Sequence, residues 1–186
     1  QDEFIPIKAL DKKNIASVSL EFSYSVAFDS IANKYAKITS FSANVYKDSV
    51  NLNNLEDDLK FFNTIIIAID NEHSKDAKFI NFINSISKNK QVIISYFGIG
   101  AGLKSFDVLN SPIIFTPQNN IEAAEMMPQY IFGGIAATNK LNSEYSGKYT
   151  IGSGYSTTAT RLKFTVPEDA GVNSNNLKEI DDIDLE

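Results

Sequence analysis

The chain contains no cysteine. Disulfides and thiolate metal sites are therefore excluded, and the redox character of its compartment stays open. It contains one histidine, His73, so no multi-histidine metal cluster and no paired-histidine mechanism can be built from it. It contains one arginine, Arg161, and carries a formal net charge of −6. Nucleic acid is not expected as a partner, because phosphate binding needs a clustered positive field. No run approaches the roughly 20 apolar residues that cross a bilayer, so no membrane span is expected. The start, Gln1-Asp2-Glu3, is acidic and does not read as a signal peptide.

What is present is the material of a globular α/β domain. The 186 residues are 43% hydrophobic, with a mean hydropathy of −0.15. That is enough for one compact domain of roughly 150 residues and a tail. Ile15–Leu20 reads as a first strand. Val26, Phe28, Ile31, Ala32 and Tyr35 recur at helical spacing, and Phe41–Tyr46 alternates like a second strand. Leu52, Leu55 and Leu59 predict a short helix. Thr64–Ile69 is apolar throughout, as expected of a strand covered on both faces. Ala77, Ile80, Ile83 and Ile86 form a helical stripe, with Ser74 as its cap. Gln91–Phe97 reads as another central strand, Leu103–Leu109 as a helical turn and Ser111–Thr116 as a short strand. Asn119–Phe132 predicts a helix capped by Asn119, broken or kinked at Pro128 and closed by Gly133-Gly134.

Strands alternating with helices predict a three-layer α/β sandwich. Its sheet is mostly parallel with about six strands, helices cover both faces, and the last strand lies within 148–165, where an antiparallel direction is open. Such sheets place their working loops at the carboxyl ends of strands, here after Leu20, Tyr46, Ile69, Phe97 and Thr116.

Few motifs carry chemistry. Gly98-Ile99-Gly100-Ala101-Gly102 follows a strand and invites a flavodoxin-like nucleotide- or small-molecule-binding reading. Its spacing is G-x-G-x-G rather than G-x-G-x-x-G, and no acidic residue stands about 20 positions on to hold a ribose; a structural turn is the expected role. Ser85-Ile86-Ser87-Lys88 matches S-x-x-K, but the S-D-N and K-T-G partners are absent. Asp70, Asn71 and His73 follow the central strand and are the candidate cleft-loop, substrate-binding residues, with an acid and a histidine suited to proton transfer. Asp57-Asp58 and the acidic stretch 179–184 read as solvated faces. No G-x-S-x-G elbow, P-loop or H-E-x-x-H is present, so no catalytic residue, metal site or cofactor is assigned.

The order of certain segments resembles a known family. Phe4-Ile5-Pro6-Ile7-Lys8 is similar to an I-P-L-K-type opening. Phe97-Gly98 followed by Leu103-Lys104-Ser105-Phe106 is similar to F-G-x-P-Y-x-L without its Pro-Tyr. Ile131-Phe132-Gly133-Gly134 through Lys140-Leu141 is similar to F-G-x-x-x-x-x-G-K/R-L-P, with Asn139 and Asn142 in place of the glycine and proline. Together they resemble the C-terminal α/β sandwich domain of glycoside hydrolase family 3, over about residues 4–165. Pro167-Glu168-Asp169-Ala170-Gly171-Val172, then Leu177 and Ile180-Asp181, resembles P-E-x-x-G-[MV]-x-S-x-x-L-x-x-I-D. That is the opening of the β-lactamase-like serine hydrolase domain fused to some family 3 β-N-acetylglucosaminidases.

The resemblance implies a domain at 1–165, and at 166–186 a linker with the truncated start of another. It implies as partners an N-terminal (β/α)8 barrel of the same parent and the downstream β-lactamase-like domain, in a periplasmic or extracellular parent. It also implies that the chemistry lies elsewhere. The family's aspartate nucleophile sits on the barrel, and the N-acetylglucosaminidase type takes its histidine and aspartate from the barrel too. Glucosidase-type members use a glutamate from a long loop of this domain. The short Asp70–Asp76 loop does not match it, and Glu72 is not assigned that role.

Overall fold

The computed structural model describes residues 4–46 and 52–176. Leu177, Ile180-Asp181 and the acidic stretch 179–184 lie outside the described residues. Five parallel strands, β1 (Ile15–Ser19), β2 (Ile38–Ser42), β3 (Thr64–Asp70), β4 (Gln91–Phe97) and β5 (Ile113–Thr116), form one sheet in the order β2-β1-β3-β4-β5. The chain steps outward from β1 to β2, then returns past β1 to β3 and continues to β4 and β5. Right-handed crossovers in opposite directions put their helices on opposite faces. Accordingly α1 (Ser25–Tyr35) and α4 (Ile121–Phe132) share one face, while α2 (Asn53–Asp58), α3 (Ala77–Ile86) and a 3-10 helix at Gly100–Phe106 cover the other. The sheet is thus an α/β sandwich with one strand fewer than expected, and 148–165 contributes no strand to it.

The two cores follow from strand alternation. Ile65, Ile67 and Ile69 of β3 enter the α2/α3 side with Val92, Ile94 and Tyr96 of β4. Ile66 and Ala68 enter the α1/α4 side with Ile93 and Phe97. Every residue of β3 is buried, which is why its sequence shows no polar alternation. On the α1/α4 side Ser19, Ala68 and Ser95 stand in one row across the sheet. These small side chains share that face with the rings of Phe22, Phe28 and Phe97. Phe22 stacks on Phe97 at 4.2 Å, and Phe28 meets Phe97 edge-on at 6.3 Å.

Several local expectations are corrected. β2 begins at Ile38, which pairs with Ile15, and Ala43–Tyr46 turns into a 3-10 helix that leaves Val45 78% exposed. The alternation there reflected a turn rather than a pleat. β5 begins at Ile113, because Pro112 has no N–H and only its carbonyl serves the sheet, accepting from Ile94 at 2.9 Å. α3 is capped by Asp76, whose carboxylate accepts from the Lys78 N–H at 2.8 Å; Ser74 instead donates to the Asn71 carbonyl. Its buried face is Phe79, Phe82, Ile83 and Ile86, and Ala77 is exposed. α4 is capped by Asn120, which accepts from the Ala123 N–H at 2.9 Å.

α4 also runs through Pro128 without ending. An interior proline costs about 3 kcal/mol. Burial of Met127, Ile131 and Phe132 offsets this, at roughly 1.5–3 kcal/mol for each large side chain. Gly133 then closes the helix at φ 80, as glycine does most easily.

Past Gly133 the chain forms an irregular antiparallel hairpin outside the sheet. Thr160 and Arg161 donate to the Gly133 carbonyl at 2.8 and 2.9 Å, Thr157 to Ala137 at 2.7 Å, Leu141 to Ser153 at 2.9 Å and Tyr145 to Tyr149 at 2.9 Å. The pairing keeps one register about a turn at 146–148. Its outward arm lays Leu141 and Tyr145 on the α2/α3 side, with Tyr145 6.5 Å from Phe115 of the edge strand β5, and Tyr149 joins them directly after the turn. Its returning arm closes on the opposite face. The Arg161 guanidinium donates to the Phe132 carbonyl, placing the lone arginine at the negative end of α4. Tyr35 donates to Leu162 at 2.9 Å, and the Phe164 N–H donates to Gln129 at 2.9 Å. Burial pushes the Tyr35 hydroxyl above its ordinary pKa.

Candidate functional site

β1 and β3 are neighbours whose following connections run in opposite directions, so the crevice between their carboxyl ends is the sheet's topological switch point. Doubly wound sheets place ligands there. The loops at this point bring together Asp70, the last residue of β3, His73, in a 3-10 turn at His73–Lys75, and Glu21, just beyond β1.

The Asp70 side chain is 8% exposed. Its Oδ1 accepts the His73 backbone N–H at 3.0 Å and lies 2.8 Å from the ring Nδ1. The other ring nitrogen, Nε2, lies 3.2 Å from Glu21 Oε2. Phe79 of α3 closes the side of the imidazole, edge-on at 6.2 Å. The His73 ring is therefore hydrogen-bonded at Nδ1 and faces a second carboxylate at Nε2, in a partly exposed position. Glu21 itself has φ 60, a left-handed backbone that a residue with a Cβ adopts at a cost.

Asp70 and His73 are thus brought together as the sequence predicted, and Glu21 is the residue that sequence reading missed. Its only signal was an acid directly after the first strand. Asn71 is placed differently. Its side-chain oxygen accepts from the Tyr96 hydroxyl at 2.9 Å, its N–H donates to Phe97 and its carbonyl accepts from Ser74, both at 3.0 Å. Asn71 ties the β3 loop to β4. Burial pushes the Tyr96 hydroxyl up to about 12, with the Asp70 charge adding to the rise, so it stays a neutral donor. Glu72 is exposed.

The glycine loop is part of the same packing. A Cβ on Gly102 would stand 1.8 Å from the Tyr96 hydroxyl, one on Gly98 2.4 Å from Asn71 Cβ, and one on Gly100 2.1 Å from the Tyr145 ring. The Gly98 N–H donates to Thr116 at 2.9 Å and the Gly102 N–H to Ile99 at 3.0 Å. Those donors serve the fold, which leaves the loop ill suited to cradle a phosphate. Ser85 of the S-x-x-K segment donates to the Glu56 carboxylate at 3.0 Å. Two shallow concavities lie elsewhere, one between α2 and α3 around Glu56 and Ser85, the other at the amino ends of β4 and β5 around Lys90 and Pro112. Among the described residues no group of three or more acids and histidine could hold a metal ion, and no helix is long and apolar enough to cross a membrane.

Comparison with known proteins gives a fold and little more. No protein-family model matches the chain, and no curated protein matches it. A solved structure does, at a TM-score of 0.58 and 13% sequence identity, over 72% of this chain and 16% of the other. It is described as a unique GCN5-related glucosamine N-acetyltransferase region in the fungal multi-domain GH3 β-N-acetylglucosaminidase. The chain therefore spans a small part of the protein it matches, and the likeness is one of fold: a parallel α/β sandwich.

Proposed function

We propose that the chain is a non-catalytic C-terminal α/β sandwich domain of a family 3 glycosidase of the β-N-acetylglucosaminidase type. Its role is to pack on a (β/α)8 barrel that carries the catalytic groups. The observation that carries this reading is the fold shared with part of a multi-domain GH3 β-N-acetylglucosaminidase. The order of the Phe4–Lys8, Phe97–Phe106 and Ile131–Leu141 segments supports it.

The site chemistry fits an accessory role. Asn71 is consumed in holding two loops together, and the His73 ring has an acid at each nitrogen. A general acid or base needs a free proton position facing a substrate. Exposed apolar side chains instead ring the carboxyl end: Val26 and Ile121 open α1 and α4, and Val45 and Ile99 follow β2 and β4, each at least 47% exposed. Side chains of this kind suit burial against another domain. We assign residues 1–165 to this domain. The side-chain contacts of Thr165, Glu168 and Asp169 run to Lys163 and Ser174 or to one another, as fits a following linker at 166–186. The β-lactamase-like domain would come next, in a periplasmic or extracellular parent. The acetyltransferase of the matched structure is not carried over, because Glu21, Asp70 and Glu72 at the switch point are a poor setting for a polyanionic acyl carrier.

The parent would act on N-acetylglucosamine-containing glycans through two groups flanking the glycosidic bond. The purified chain, assayed with an aryl N-acetylglucosaminide, is expected to release no more aglycone than buffer alone. Turnover that disappears in His73→Ala would overturn the non-catalytic reading.

A further inference from the structure

We propose that His73 is a protonation-operated latch, holding the β1–α1 loop to the end of β3 when its ring carries two protons and releasing Glu21 when it carries one. The inference rests on local geometry and stands independently of the parent-enzyme reading.

An ionised carboxylate only accepts hydrogen bonds, and a neutral imidazole has one N–H. His73 faces Asp70 with Nδ1 at 2.8 Å and Glu21 with Nε2 at 3.2 Å. The Asp70 contact is a hydrogen bond, whereas the Glu21 contact is an ion pair and is attractive only while both ring nitrogens are protonated. Loss of one proton turns a lone pair toward a carboxylate oxygen, and one contact must open.

The two sides are unequal. The Asp70 side chain is 8% exposed, and its Oδ1 also receives the His73 backbone N–H. Glu21 has a 36% exposed side chain and a backbone at φ 60. A left-handed residue with a Cβ costs roughly 1–2 kcal/mol, which the charge-assisted contact helps to offset. The proton therefore stays toward Asp70, and Glu21 is the side that opens.

The other groups near His73 do not replace Glu21. Glu72 and Lys75 on its own turn are exposed, as is Lys104 on the adjoining 3-10 helix at Gly100–Phe106. From α3 comes the uncharged ring of Phe79, with Asp76 occupied as the cap and Lys78 next to it. From β4 comes Tyr96, held neutral by burial. The moving part is short. Glu21 precedes Phe22, whose N–H donates to Ser19 Oγ at 3.1 Å and whose ring is anchored on Phe97.

The test is a pair of NMR titrations on the whole chain. The His73 ring is followed at its Cε1 proton and the loop at the backbone amides of Leu20–Tyr24. In the wild type the loop amides are expected to shift along the same titration curve as the ring. In Glu21→Gln, a surface change that leaves the core intact, that response should fall at least about threefold, while the response of the His73 amide on the Asp70 side persists. The protection factor of the Phe22 amide, corrected for the base-catalysed rise of intrinsic exchange with pH, should be roughly threefold lower above the ring's transition than below it, as loss of a partly exposed ion pair implies. Loop amides that ignore the ring, or follow it equally in Glu21→Gln, would overturn the latch.

Discussion

Replacing Gly102 with alanine should cost about 3 kcal/mol or more of folding stability. The added methyl would stand 1.8 Å from the Tyr96 hydroxyl and 2.9 Å from Asn71 Oδ1. Tyr96 is fully buried, and its hydroxyl lies 2.9 Å from both the Asn71 side chain and the Ile99 carbonyl. Making room means moving a ring that stacks on Phe115 at 5.7 Å and abuts Phe106 at 5.2 Å. Overpacking of this kind costs roughly 1–3 kcal/mol. Breaking a buried hydroxyl's bonds costs about 1–3 kcal/mol more. Gly147, at the hairpin tip, is the control: a methyl added there would meet nothing within 4 Å, and Gly147→Ala should be neutral within about 1 kcal/mol. Urea unfolding of the two variants separates the readings of the glycine loop. A phosphate-binding loop would tolerate Gly102→Ala in stability and lose only ligand affinity.

Phe97→Ala should cost about 3–5 kcal/mol, a large share of the 5–15 kcal/mol typical of a domain. Phe97 is fully buried at the end of β4 and joins Phe22 and Phe28 in one aromatic cluster. Small neighbours, Ala68 and Ser95, offer no side chain that could collapse into the space. At a urea slope of about 2 kcal/mol per molar the midpoint should fall by roughly 2 M. A drop below about 0.5 M would mean that the ring is not the centre of the α1/α4 core. The same substitution frees Phe22, so the β1–α1 loop should lose order in spectra of the protein that remains folded.

The sequence was most transparent where burial is two-sided. Thr64–Ile69 and Gln91–Phe97 read as strands from their apolar runs, and both strands lie there, the first extending one residue further to Asp70. Phe41–Tyr46 misled because an exposed Val45 mimics alternation. The hairpin past Gly133 was illegible because its pairing runs through widely spaced backbone hydrogen bonds between residues of mixed type, which impose no apolar period. At the candidate site, Asp70 and His73 were legible as neighbours in one loop. Glu21 was not, because only the parallel pairing of β1 with β3 brings its loop beside theirs. The need for small residues at Gly98, Gly100 and Gly102 likewise comes from Asn71, Tyr96 and Tyr145, which no local motif couples to them.

Whether this domain serves a barrel-borne glycosidase site is decided by reading the coding sequence immediately ahead of Gln1. A (β/α)8 barrel is expected there, in the same open reading frame. An unrelated domain, or a start codon directly ahead of Gln1, would contradict the proposed role.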